Sequence, residues 1–314
     1  MDRILIGVDV GGTSVKTGMF SREGRLIAKT EIPTDRENNC KNVIRDIAQN
    51  IHAMAEKYDI SEENVIGTGI GVPGPVLKDG YVEVCVNLGW RDKYPAKELA
   101  GFFPGMRVEL GNDANVAAFG EAWQGGAKGY ANVVLLTLGT GVGGGVILDN
   151  HILNGRHGLA GELGHIHIRD EEKEFCNCGG QGCLEQVSSA TGIVREAKRM
   201  LLKNSAPSAM RDFGDRLTAK DVCDCGKAGD RTADETMETV CRYLGLAISY
   251  ATMTVDPDVF VIGGGVSAAG EYLIGKIMKY YDRYTTISKN HAKIVTAKLG
   301  NDAGIYGAAR MVLE

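Results

Sequence analysis

The sequence has no apolar run long enough to span a bilayer, no leader-like hydrophobic opening, no basic block and no low-complexity stretch. Each absence removes a class of protein. A membrane-spanning helix needs about 20 consecutive apolar residues. The opening Met1-Asp2-Arg3-Ile4 passes directly into a strand-like pattern, without the hydrophobic segment of a secretory signal. These two absences point to the cytoplasm. A formal charge of −5 with no cluster of lysine and arginine argues against nucleic acid as the main partner. No long linker is visible either, yet 314 residues exceed what one core comfortably fills, so two domains are expected.

Glycine and cysteine are present, and both are clustered. In a reducing compartment, eight cysteines are metal-bound or free rather than disulfide-bonded. Between Gly161 and Glu185 the chain carries Gly161-Glu162-Leu163-Gly164-His165, then Cys176-x-Cys178, Cys183 and Glu185. Three thiolates and an imidazole make a tetrahedral zinc set, and four protein ligands leave no open position, so such a site is structural. His165 is the nearest histidine in the motif, His167 is a rival on spacing, and His151 and His157 are further off. Free cysteine is also a common core residue, which is the plain alternative. Cys223-x-Cys225 lacks neighbouring ligands and is not expected to hold a metal. Carboxylates at both ends of a metal-pinned loop, Glu162 and Glu185, suit a polyhydroxylated ligand.

Glycine clusters end three strands: Gly11-Gly12-Thr13, Gly139 to Gly145, and Gly263-Gly264-Gly265. Such turns present successive backbone N–H groups and suit phosphate. Thr13 and Thr140 add hydroxyls, and Asp9 is placed to hold Mg²⁺ through water. Gly139-x-Gly141-x-x-Gly144 fits the dinucleotide fingerprint, but that motif must open a helix, and here a strand at Val146–Leu148 and a hairpin turn at Asp149-Asn150 are expected. Around these turns we expect an antiparallel meander over residues 3–32, helices over 42–57 and 96–102, and strands at 65–72 and 107–110. The strand–glycine–strand unit then recurs at 132–148, a weak sign of two related halves. Helices follow near 192–203, 233–253, 272–281 and 304–313, with strands at 259–262 and 294–297. Asn112-Asp113-Ala114-Asn115 opens an amphipathic run. Asn and Asp are favoured helix caps, while a carboxylate at a domain junction is also placed to take a proton from a substrate hydroxyl.

Together, Asp9-Val10-Gly11-Gly12-Thr13, Gly71-Val72-Pro73-Gly74, Asn112-Asp113-Ala114-Asn115, Gly139 to Gly145, Gly161 to His165, Cys176 to Glu185 and Gly263 to Val266 resemble the ROK family (repressors, open reading frames, kinases) over essentially the whole chain. The block Cys176–Glu185 followed by Ser189-Ala190-Thr191-Gly192 is most similar to that of bacterial ROK glucokinases. The resemblance implies an α/β, actin-like ATPase (ribonuclease H-like) fold with two domains around a cleft, residues 1–112 with 299–314 and residues 113–298. It implies ATP-dependent phosphorylation of the glucose 6-hydroxyl, with Asp113 as base and Asn87, Asn112, Asp113, Glu162, His165 and Glu185 holding the hexose. It further implies zinc on His165, Cys176, Cys178 and Cys183. Asp9, Gly11, Gly12, Thr13, Thr140 and Gly141 would serve Mg²⁺ and phosphate, Gly263, Gly264 and Gly265 the adenosine, and the family likeness implies a homodimer or homotetramer. N-acetylmannosamine, fructose, allose and polyphosphate-using kinases share the motifs. A sugar-sensing repressor would place a DNA-binding helix pair before Asp9, where only eight residues stand. Two departures carry expectations: Glu171-Glu172-Lys173-Glu174, where relatives often have glycine, is expected to bend the zinc loop differently, and Gly111 to loosen the strand end before Asn112.

Overall fold

The apolar run Ile4–Val10 forms strand β1, buried on both faces at the centre of a five-stranded sheet. Its side chains serve two cores, as a strand covered on both sides requires. Ile4, Ile6, Val8 and Val10 join one apolar cluster, and Leu5 joins another with Phe20, Ile305, Ala309 and Val312. The computed structural model describes residues 3–314. β2 (Ser14–Ser21) and β3 (Leu26–Pro33) complete an antiparallel meander with β1. Helix α1 (Val43–Lys57) buries Val43, Ile47, Ile51 and Met54, the helical spacing expected. β4 (Val65–Val72) then pairs parallel to β1. A ribbon of β5 (Val82–Cys85) and β6 (Trp90–Lys93), not anticipated from the sequence, precedes α2 (Pro95–Ala100). β7 (Arg107–Asn112) pairs parallel to β4 and passes directly into α3 (Asp113–Gln124).

The second sheet repeats this plan. β8 (Val133–Leu138) and β9 (Val142–Leu148) are joined by the turn Gly139–Gly141, and β10 (His151–Ile152) returns through Asp149-Asn150. Both turn residues are left-handed, with φ of 50° and 64°, as a two-residue hairpin demands. The expected glycine turn is shorter than the glycine run. Gly143, Gly144 and Gly145 continue as strand, and a Cβ at Gly145 would stand 2.7 Å from the Ala114 carbonyl oxygen. Gly145 serves close packing. After the cysteine loop come α4 (Leu184–Ser188), α5 (Ala190–Lys203), α6 (Ala219–Lys227) and the long α7 (Arg231–Val255). β11 (Val259–Gly263) pairs parallel to β8, and β12 (Lys293–Thr296) pairs parallel to β11 after α8 (Glu271–Tyr284). The terminal helix is α9 (Ala303–Met311). The strand orders are β3-β2-β1-β4-β7 and β10-β9-β8-β11-β12, so each sheet is a meander followed by two parallel strands. That is the order of the ribonuclease H-like, actin-type ATPase fold.

Contacts divide the chain into two units. The first contains the chain through Ala131, Gly145–Gly161 and Lys298–Glu314; the second contains Asn132–Gly144 and Glu162–Ala297. Helix α3 and residues 145–161 thus group with the first unit, not with the second as the division at residue 112 had it, because α3 packs along α9. Glu121 on α3 is fully buried, and its carboxylate accepts the N–H groups of Gly126 at 2.6 Å, Lys298 at 3.0 Å and Leu299 at 2.8 Å. These bonds offset the cost of burying a charge and fasten the returning segment to α3. Gly111 does not loosen the strand end: it is buried beneath Val116 and Met311. Among the described residues, no helix is long and apolar enough to cross a membrane.

Candidate active site and metal centre

In the second unit, His165 ends a short 3-10 turn, Leu163–His165, and Cys183 stands at the N-terminus of α4. Cys176 and Gly179 close a tight knuckle, Gly179 N–H donating to the Cys176 carbonyl at 2.8 Å. These local turns bring one ligand atom each of His165, Cys176, Cys178 and Cys183 within 4.8 Å of one another. His165 Nδ1 lies 3.6 Å from Cys176 Sγ, and Cys178 Sγ 3.6 Å from Cys183 Sγ. A tetrahedral zinc with bonds of about 2.1 to 2.3 Å requires ligand separations of about 3.5 to 3.8 Å, so the donor set fits that ion. His167 is otherwise engaged, its ring nitrogens 2.8 Å from the Gln181 carbonyl and from Asp170. Burial pushes the Cys183 thiol up to about 12, while the Gly180 N–H on the Cys178 sulfur holds that thiol down. A cation would reverse the first effect. Cys223 and Cys225 are buried and belong to no metal-binding group among the described residues.

The acidic loop before Cys176 is pinned by buried ion pairs. Glu172 is buried and accepts both terminal nitrogens of Arg199, at 2.7 and 2.8 Å. Those bonds hold its carboxyl down to about 2. Arg169 forks onto Glu196 at 2.7 and 2.8 Å and stacks over the Tyr243 ring. An ion network therefore anchors the approach to the metal loop onto α5 and α7. No periodicity in the sequence announces it.

Glu185, two residues after the last cysteine, does not simply project from the loop. Its Oε2 accepts the Val142 N–H at 2.9 Å, and its Oε1 lies 3.7 Å from Cys176 Sγ. A Cβ on Gly141 would fall 2.2 Å from Glu185 Oε2, so any larger residue there would displace this carboxylate. Glu162 Oε2 lies 3.9 Å from His165 Nε2. His165 thus presents one ring nitrogen to the thiols and the other to Glu162. The turn Gly139–Thr140 lines a cavity of about 400 Å³ whose apolar walls include Ala190, Ala219, Val266 and Ala269. Gly265 lines it as well, whereas Gly263 is buried at the end of β11 and Gly264 lies against the Leu138 backbone. The contribution of α6 was missed; its signal was the capping box Thr218-x-x-Asp221.

In the first unit, Asp113 is the first residue of α3. The Asn112 side-chain oxygen caps the helix, accepting from Ala114 and Asn115 N–H at 3.0 and 3.1 Å. The Asn112 amide donates to the Gly74 carbonyl and to Asp113 Oδ1, both at 3.1 Å, and Ala114 N–H reaches the same Oδ1 at 2.8 Å. Capping and orientation of the carboxylate are therefore one arrangement. Asn87 is exposed in the 3-10 turn Val86–Leu88, its carbonyl 3.9 Å from where a Gly12 Cβ would stand. Asp9 is half-buried below the first glycine turn, and its partial desolvation raises its pKa against the opposing charge of Lys16. Arg36, absent from the sequence-based set, donates to the Gly12 carbonyl at 2.9 Å and brings a cation to that turn.

Comparison with known proteins agrees with this arrangement. The ROK family model matches residues 5–314. A glucokinase of Halalkalibacterium halodurans is 39% identical over 100% of this chain and 96% of its own length. A glucokinase of Thermotoga maritima is 36% identical over 99% of this chain and 97% of its own. The crystal structure of a ROK family glucokinase from Streptomyces griseus in complex with glucose and AMPPNP superposes with a TM-score of 0.77, at 32% identity, covering 98% of each chain. With its motifs in family order on the family's fold, the chain belongs to the ROK family.

Proposed function

We propose that this protein is an ATP-dependent glucokinase that phosphorylates the 6-hydroxyl of glucose, with Asp113 as general base. The observation that carries this reading is the whole-chain likeness to glucokinases, one of them solved with glucose and AMPPNP, an analogue of ATP. In this reading Asn87, Asn112, Glu162, His165 and Glu185 hold the sugar hydroxyls. The N–H groups of the turns at Gly11–Thr13 and Thr140–Gly141 hold the phosphates, and the cavity lined by Gly139 and Val266 receives the adenosine. Asp9 is the residue to hold Mg²⁺ through water, and that ion supplies charge neutralisation on the phosphates. Zinc braces the loop and takes no part in the chemistry. The protein acts in the cytoplasm as a homodimer or homotetramer.

The reaction forms a bond between the sugar oxygen and γ-phosphorus and breaks the bond to the β-phosphate oxygen, releasing ADP. The hydroxyl proton goes to Asp113. A sugar hydroxyl is a poor acid, so the base matters late in transfer, and alignment with preorganised donors contributes most of the acceleration. Asn112 is suited to alignment because its amide already fixes Asp113 Oδ1. The test is an ADP-release assay across glucose, N-acetylmannosamine, fructose and allose, each with ATP, GTP and polyphosphate. Glucose with ATP is expected to give the highest kcat/KM. A higher value for another hexose or donor would displace this assignment.

A further inference from the structure

Both glycine turns are held from behind by a threonine hydroxyl. In the second unit, Thr191 Oγ1 donates to the Thr140 carbonyl at 2.9 Å, and Ala190 N–H donates to the Gly139 carbonyl at 2.8 Å. In the first unit, Thr34 Oγ1 donates to the Gly11 carbonyl at 2.7 Å, Arg36 Nε to the Gly12 carbonyl at 2.9 Å, and Thr34 N–H to the Thr13 carbonyl at 3.0 Å. A trans peptide lies in one plane, with its C=O and N–H pointing in opposite directions across the C–N bond. Fixing the carbonyls of Gly139 and Thr140 on one side therefore turns the N–H groups of Thr140 and Gly141 to the other. Fixing those of Gly11, Gly12 and Thr13 does the same for Gly12, Thr13 and Ser14. Successive N–H groups aimed one way make an anion-binding concavity.

We infer that Thr191 and Thr34 are positioning residues: each sets the peptide planes of one phosphate turn without itself serving as a ligand. This rests on the kinase reading above. Thr191 belongs to the Ser189-Ala190-Thr191-Gly192 stretch quoted above, but neither hydroxyl's contact is legible in the sequence, because each lies far along the chain from the turn it holds. The same device occurs at corresponding turns of the two sheets, which argues against an incidental contact. Serine can make the same bond and valine cannot, while valine keeps the size and branching of threonine.

The experiment measures AMPPNP affinity by calorimetry, together with steady-state constants for both substrates, in wild type, Thr191→Val, Thr191→Ser, Thr34→Val and Thr34→Ser. Each valine variant is expected to weaken AMPPNP binding by about fivefold, the factor that one hydrogen bond of ordinary net worth represents. The KM for glucose should change less than twofold, and each serine variant should restore nucleotide affinity. The inference is overturned if the valine variants bind AMPPNP like wild type, or if the glucose KM rises in step. It is overturned equally if serine fails to rescue. Wild type that binds AMPPNP but transfers nothing to glucose would defeat the glucokinase reading alone, and the affinity series would still decide the role of the two threonines.

Discussion

The Val142 backbone N–H donates to Glu185 Oε2 at 2.9 Å, joining the first residue of β9 to a carboxylate two positions past the last cysteine of the metal cluster. A group proposed to bind the hexose thereby also holds the turn proposed to bind the triphosphate. Because one carboxylate touches both, a disturbance there is expected to appear in the constants of both substrates.

Gly141→Ala tests that link. Its Cβ would lie 2.2 Å from Glu185 Oε2, so the carboxylate has to move and give up Val142. Packed interiors do not absorb such an overlap freely. Steady-state kinetics with each substrate varied in turn should show both KM values rising and kcat/KM falling by about tenfold or more. A rise in the nucleotide constant alone would mean that Glu185 does not couple the two.

Asp113→Asn leaves the oxygen that accepts from Ala114 N–H and removes only the basicity. The expected loss in kcat is about 10²- to 10⁴-fold, the range of general base catalysis, with glucose affinity within a few-fold of wild type. Normal turnover in this variant would remove Asp113 from the role of base.

Purified protein is expected to carry one zinc per chain, measurable by mass spectrometry. Stripping it with a strong chelator should weaken glucose binding at least tenfold, as Glu162, His165 and Glu185 lose their common frame. Far-UV circular dichroism should change little, because Arg169, Glu172, Glu196 and Arg199 hold the approach to the loop without metal. Unaltered glucose affinity in the stripped protein would contradict a bracing role.

The Glu172 carboxyl is held down from 4.5 to about 2, chiefly by its bonds to Arg199. A carboxyl with a depressed folded-state pKa contributes stability that is present above its unfolded value and lost as pH falls toward the folded one. Urea melts of wild type should therefore lose stability between about pH 5 and pH 2.5, with Glu172→Gln showing a shallower slope there. At neutral pH the same variant should be destabilised by about 3 kcal/mol, since it leaves arginines underpaired. Identical slopes for the two proteins would show that this pair does not titrate with unfolding.

The cysteine–histidine cluster was legible because its four members lie within nineteen positions, between His165 and Cys183, and are brought together by local turns. Asn112 and Asp113 were legible for a similar reason, a strand end meeting a helix start. Glu172 was not: a carboxylate in an acidic run has the appearance of solvent-facing charge until Arg199, on another element, arrives to bury it. Thr34, Glu121 and the bond made by Thr191 were hidden in the same way, as were the cavity walls on α6. The glycine run at Gly143–Gly145 was assigned to a turn because composition cannot distinguish a residue that must bend from one that must be small.

From its letters alone this chain determined most of its strands and long helices, the cysteine–histidine cluster and the capped aspartate, since each depends on periodicity or spacing over a few turns of chain. Tertiary structure decided which carbonyls face the supporting segments, which acids are buried and where α3 belongs. Those outcomes depend on groups distant in sequence meeting at hydrogen-bond distance, and an unpaired buried carboxylate or carbonyl is costly enough to select among otherwise equivalent arrangements.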